Sequence, residues 1–265
     1  DGGCGLDLLG GGEDERRILG HAWVLNLTLR SIDRLGVRGR DSAGLAAYLR
    51  FPDAAAVDGF LEGTRRTEFE ARSGLPALTH RAVVRPAIAP STLLAVFKVA
   101  AEVGKMGDNV AALRQAIARD PLFQAALRAP GIDIQCLAHT RWASNGIISL
   151  PNCHPVDGAV LHGSGDGARS DGAGEIVAVL NGDVDNYVSL VERHVRAEGR
   201  RIEPAITTDA KIIPIVVAEH YRETRDLREA FRRAFAEFEG SMAIAVMAAD
   251  RPGENPGIVD EGILK

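Results

Sequence analysis

The sequence predicts an α+β protein built from layers of sheet and helix, on three observations. Apolar strand-like runs open the legible part of the chain, at 42–48, 132–138 and 175–180. Helical segments follow from about 186 to 238, and another apolar run closes at 241–247. Strands grouped before helices argue against regular βαβ alternation. Hydrophobic residues make up 46% and charged residues 25% of the 265, the balance of a globular chain that can bury a sizeable core.

The elements can be justified in order. Glu13-Asp14-Glu15 precedes Ile18, Leu19, Ala22, Trp23, Leu25, Leu29 and Ile32. Acids at the start and apolar residues at three- and four-residue steps describe an amphipathic helix that should stop near Gly36. Ser42 to Tyr48 reads as a buried strand of small residues. Leu93 to Val103 and Val110 to Leu127 read as helices, joined to what precedes them by a connector around Pro86 and Pro90. Ile132 to Ala138 reads as a strand entering a polar loop, and Val160 to His162 as a short strand. The glycine-rich stretch 163–174 suits a hairpin loop before a strand at 175–180. Helices are expected at 186–198, 209–221 and 226–238, and a strand at 241–247.

A net charge of −5 gives no electrostatic pull toward nucleic acid or an anionic membrane. The apolar runs are broken well short of the ~18 residues a membrane span needs. Asp1 to Leu6 lacks the basic and apolar regions of a signal peptide. Three cysteines are too few for a disulfide scaffold and fit a reducing cytoplasm.

The residues also suggest a chemistry. Hydrolysing a side-chain amide takes a nucleophile, a base, oxyanion donors and groups that hold the substrate's ends. Cys4 lies close to the start of the sequence, where a free α-amine, titrating near neutrality, could serve a thiol as base. Asn181-Gly182 after a strand can offer a side-chain and a backbone N–H to an oxyanion, though the pair alone is also a plain turn signal. Arg141 offers a guanidinium fork for a carboxylate. Asp209, early in a helix, could receive an ammonium or simply favour the helix start. Cys136, His139, Cys153 and His154 contain zinc-ligand types, but the adjacent Cys153-His154 pair is poor ligand spacing and Cys136 sits in an apolar strand. Gly10-Gly11-Gly12 lacks the lysine and hydroxyl of a phosphate loop. Neither a metal nor a cofactor is expected.

In order and wording, several blocks together resemble the class II glutamine amidotransferases, closest to the glutaminase domain of the glutamine–fructose-6-phosphate aminotransferases. The blocks are Cys4-Gly5-Leu6, Arg34 to Gly44, Leu137 to Gly146, Asn152 to Pro155, Leu180 to Asn186, Thr208-Asp209 and Phe238 to Met247. The resemblance implies a four-layer αββα sandwich of the N-terminal-nucleophile hydrolase type. It also implies hydrolysis of L-glutamine to L-glutamate and ammonia through a cysteinyl thioester. Cys4 would be the nucleophile, with Asn181 and Gly182 as oxyanion donors. Arg141 and Ser144 would hold the α-carboxylate and Asp209 the α-ammonium. Arg38 and Gly39 would support the nucleophile, and Trp142 belongs to a loop that closes over glutamine. The implied partner is an ammonia-accepting synthase domain, such as an aminosugar-phosphate synthase, on the same longer chain or on another; a homo-oligomer is compatible.

The chain departs from that pattern in four places. Three residues precede Cys4, whose α-amine must be freed to act as a base. Asn145 stands where those aminotransferases usually carry histidine. Between Ser42 and His139 the spacing is longer than the family's, so residues 51–130 are expected to be a helical insertion in a domain spanning 1–265. The Pro- and Gly-containing tail after Met247 is shorter than the family's, so the domain is expected to be incomplete at that end. These departures motivate one alternative of another class, a non-catalytic module that binds glutamine on the same fold. A second alternative keeps the hydrolase and changes the amide.

Overall fold

A computed structural model describes residues 13–35, 41–73, 79–100, 108–142, 147–162 and 174–249, and the backbone of Val259–Asp260. Cys4, Arg38, Gly39, Ser144 and Asn145 lie outside the described residues, as does nearly all of the expected loop at 163–174.

The first helix, α1 (Glu13–Arg34), follows the amphipathic pattern and stops just before Gly36. Strand β1 (Ser42–Arg50) is the centre of a four-stranded antiparallel sheet. It pairs residue for residue with β3 (Thr92–Ala100) on one side and β4 (Asp133–Arg141) on the other. The two-residue β2 (Val83–Val84) completes the order β2-β3-β1-β4. A second antiparallel sheet has the order β10-β9-β7-β5, from β5 (Val156–Asp157), β7 (Ile176–Gly182), β9 (Met242–Ala248) and β10 (Val259–Asp260). A small pair joins β6 (Leu161–His162) to β8 (Arg200–Arg201).

Alternation along each strand sets the layers. In β1, Leu45, Ala47 and Leu49 pack with α1, with α2 (Ala54–Phe60), and with α4 (Asp108–Arg119) and α5 (Pro121–Ala126). Ala46 and Tyr48 point the other way, into a thin core shared with Val177 and Met247 of the second sheet. On that sheet's far side, Ile176, Ala178, Leu180, Ile244 and Val246 pack against α6 (Tyr187–His194), α7 (Ile212–Thr224) and α8 (Leu227–Glu237). The order is helix, sheet, sheet, helix: the expected αββα sandwich. Because β1 is covered on both faces, its small residues allow close approach from either side. The Tyr48 hydroxyl crosses the inter-sheet layer to donate to the Gly174 carbonyl, 2.9 Å away.

Two expectations need correction. Leu93 to Val103 was expected to be helical, yet Thr92–Ala100 is strand β3. Its odd residues Leu93, Ala95 and Phe97 are buried in one core and its even residues Leu94 and Val96 in another, so no polar stripe reveals its period. Pairing with β1 over nine residues then decides the conformation. The expected single helix at 110–127 is two, because Pro121 cannot donate a backbone N–H and starts a new helix. Asp120 caps that helix by accepting the Phe123 amide at 2.9 Å. The same carboxylate, fully buried, is paired with Arg72 and Arg81, the latter reaching it from outside α3 (Thr64–Ser73).

Candidate active site

A cleft of about 510 Å³ opens where the ends of β4 and β7 meet the turn before α7. Five of the residues assigned a role from sequence line it: Arg141, Trp142, Asn181, Gly182 and Asp209. They come from three elements far apart in the chain, so their convergence is a property of the fold.

Strand β4 runs on through His139, Thr140 and Arg141, which the sequence suggested as loop. Arg141 is 6% exposed and faces the cleft. Burial depresses its pKa, and the neighbouring Cys153, Asp209 and Asp41 oppose that by stabilising the cation. Trp142 follows at the rim, 64% exposed. Asn181 and Gly182 are the last two residues of β7, still paired with Ala243 and Met242 of β9, so rigid sheet carries them. Gly182 adopts φ +117°, and a Cβ there would fall 1.9 Å from the Ser241 carbonyl oxygen, so no other residue fits without moving β9.

Asp209 begins a short 3-10 helix, Asp209–Lys211, that continues into α7. Its Oδ2 accepts the Val184 amide at 2.7 Å, fixing the carboxylate just beyond the end of β7. Burial raises its pKa first of all, and backbone N–H donors pull it back. Arg141 and Asp209 thus line one cleft with opposite charge and little contact with water, a match for an amino-acid zwitterion.

The cleft also holds groups to which the sequence gave no role. His139 and His154 lie with ring centroids 5.1 Å apart and planes inclined by 35°. Burial, with help from Arg141, takes the His139 pKa down to about 4. Burial also drives the His154 pKa well below the usual imidazole range, and His139, Arg141 and Lys98 add to the effect. Both rings are neutral at pH 7. His154 can approach because a Cβ on Gly44 of β1 would sit 2.0 Å from the His154 carbonyl oxygen. Both histidines stand in the recognised blocks, but nothing in sequence distance shows that they meet.

Among the described residues no group of three or more His, Cys, Asp or Glu side chains is placed to hold a metal. Alternation on β4 turns Cys136 toward the helix-side core, away from the cleft that His139 lines. Burial lifts the Cys136 pKa to about 12, and the Cys153 thiol donates to the Ala43 carbonyl at 3.3 Å. Neither is a poised thiolate. No helix among the described residues is long and apolar enough to cross a membrane.

No family model matches the chain. The chain is 30% identical to a glutamine–fructose-6-phosphate aminotransferase of Thermus thermophilus over 209 residues, 78% of this chain and 27% of that protein. It is 35% identical to the Methanosarcina acetivorans protein of the same name over 125 residues, 44% of this chain and 18% of the relative. The Methanothermobacter thermautotrophicus protein of that name is 30% identical over 128 residues, 48% and 19% of the two chains. The chain therefore spans about a fifth to a quarter of the relatives it matches. Among solved structures, it aligns with glutamine phosphoribosylpyrophosphate amidotransferase from B. subtilis at a TM-score of 0.36 and 12% identity, over 78% of this chain and 35% of the other.

Proposed function

Since this chain belongs to the class II glutamine amidotransferases, most like the glutaminase domain of glutamine–fructose-6-phosphate aminotransferase, we propose that it hydrolyses L-glutamine to L-glutamate and ammonia. The observation that carries the reading is the convergence of Arg141 and Asp209 with Asn181 and Gly182 on one cleft. The guanidinium takes the substrate's α-carboxylate together with Ser144, and Asp209 takes its α-ammonium. The side-chain amide is then presented to the Asn181-Gly182 end of β7.

The Cys4 sulfur adds to the amide carbon, and the oxyanion that forms is met by the Asn181 side-chain N–H and the Gly182 backbone N–H. Each such donor is worth roughly 10²–10³ in rate. As the C–N bond breaks, the thiol proton, held by the Cys4 α-amine once that amine is free, passes to nitrogen and ammonia leaves. Water then adds to the thioester, the C–S bond breaks, and glutamate and the thiol are restored. Arg38 and Gly39 support Cys4, and Trp142 on the rim covers bound glutamine.

The ammonia passes to a synthase domain on the same longer chain or on a partner. An aminosugar-phosphate synthase is the acceptor that the relatives' printed name suggests. Residues 1–265 belong to one domain, incomplete at its C-terminal end, in which the insertion 51–130 carries α2 to α5 and also supplies β2 and β3 to the first sheet, and the cytoplasm is its compartment.

The test is labelling by a glutamine-like diazoketone, followed by the mass of the N-terminal peptide. A labelled peptide beginning at Cys4 supports the reading, and Cys4→Ala should then abolish glutamate release while glutamine still binds. Full turnover in Cys4→Ala would overturn the mechanism.

A further inference from the structure

Asn152, Cys153 and His154 are three consecutive residues, all buried, and each ties a different part of the site. Asn152 Oδ1 accepts the amides of Thr207 at 2.7 Å and Thr208 at 3.0 Å. Its Nδ2 lies 3.1 Å from the Thr207 hydroxyl, so this one side chain holds the turn that presents Asp209. The Cys153 thiol donates to β1 of the other sheet. His154 Nδ1 accepts the Leu180 amide at 3.3 Å, directly before Asn181. That leaves the imidazole proton on Nε2, which faces the Thr208 hydroxyl at 3.5 Å, directly before Asp209.

We propose that the Asn152–His154 segment is the ruler of the site: it sets how far Asp209 stands from Asn181 and Gly182, and so selects a glutamine side chain over the asparagine side chain, one methylene shorter. The proposal rests on the reading of the cleft as a glutamine site. His154 is a positioning residue, since its imidazole acts through Leu180 and Thr208. The geometry suits a fixed length. The strand end and the turn are each held by a backbone amide, and one rigid neutral ring joins them. A ring that could take up a second proton would lose the Leu180 contact, because Nδ1 would no longer accept; burial first of all, and then the neighbouring His139, Arg141 and Lys98, keep it neutral.

A hydrophobic pocket alone separates substrates differing by one methylene by about 10–200-fold. Removing the ruler should erase much of that margin. In a Cys4→Ala background, where glutamine binds without turnover, calorimetry gives the dissociation constants of L-glutamine and L-asparagine. The asparagine-to-glutamine ratio of these constants should fall by about tenfold in His154→Ala. His154→Asn, whose Oδ1 can still accept the Leu180 amide, should recover part of the ratio. Thr208→Val, which alters no backbone contact, should fall between, and it keeps the test open if His154→Ala does not fold. A merely structural role would lower the binding stoichiometry or weaken both ligands alike. An unchanged ratio in folded His154→Ala and Thr208→Val therefore overturns the ruler. No glutamine binding by the Cys4→Ala parent would overturn the reading of the site and the ruler with it.

Discussion

Asp209 and Lys211 sit two residues apart on one short turn, and both are buried, yet their charges are handled in opposite ways. Lys211 is 1% exposed, and its Nζ donates to Asp157 Oδ1 at 2.9 Å and to the Asp157 carbonyl oxygen at 2.6 Å. Asp157, itself 2% exposed, also accepts the Gly174 amide at 3.3 Å. Ion and counter-ion close on one another, and neither lines the cleft that Asp209 faces. Asp209 accepts backbone amides but turns toward a cleft that is also lined by Arg141, from the end of β4, and by Asp183, whose charge adds to the rise in the Asp209 pKa. A buried pair that closes on itself holds a fold together. Arg141 and Asp209, buried on one cleft with opposite sign, are placed where both could meet a ligand.

The comparison breaks first at Lys211. Lys211→Met leaves Asp157 buried without its cation, which typically costs 3–5 kcal/mol. The melting temperature should fall by many degrees, while glutamine affinity in the fraction that stays folded should match the parent. If the variant melts like the parent, the Asp157–Lys211 pair does not hold the fold together. Adding Asp157→Asn should recover part of the loss, because a neutral amide is far less costly to bury than an unpaired carboxylate.

Asp209→Asn should show the inverse. Glutamine binding should weaken by about 2–4 kcal/mol, the usual penalty for losing one partner of a buried charge pair. Stability should hold or rise, because burial is the chief influence on this carboxyl and disfavours its charged form. The pH dependences carry opposite signs. With a folded pKa raised above the unfolded value, the contribution of Asp209 to stability is fully present below the unfolded pKa. It is lost as pH rises through the raised folded value. Binding of an ammonium needs the ionised carboxylate, so glutamine affinity should fall as pH drops through that same raised value. Asp209→Asn should flatten both slopes. A parent whose affinity does not weaken on the acid side would place the ammonium elsewhere.

These contrasts also explain what the sequence could and could not disclose. The amphipathic helices α1 and α8, the largely buried helix α7 and the strands β1, β7 and β9 were legible because their apolar patterns or their bounding turns are local. Strand β3 was not: it is buried on both faces, as β1 is, and Thr92–Ala100 lacks the run of glycine and alanine by which β1 reads as a strand of small residues. Arg141, Asn181, Gly182 and Asp209 were legible as wording, in blocks whose order matched a family. His139 and His154 stood in the same blocks without a role, because theirs depends on contacts made across the fold. His154 meets Leu180 at 26 positions' separation, and Asn152 meets Thr208 at 56. Gly44 was read only as a small residue in a strand, and its use, a seat for the His154 carbonyl, appears only when the two sheets are stacked.

The smallest expected effect is at Trp142, which sharpens the contrast between the floor of the cleft and its rim. Arg141, directly before it, is held in β4 with its guanidinium buried, whereas the indole is mostly in water. Nothing in the resting fold depends on that ring, so Trp142→Ala should shift stability by no more than about 0.5 kcal/mol. If the ring covers glutamine, its loss should show in dissociation. Affinity should drop severalfold through a faster off-rate, with little change in association, since related interfaces differ mostly in how fast they release. Stopped-flow measurement on the Cys4→Ala background separates the two rates. Equal effects on both would mean that Trp142 steers entry, and no effect on either would remove it from the site and leave the zwitterion held by Arg141 and Asp209 on the floor alone.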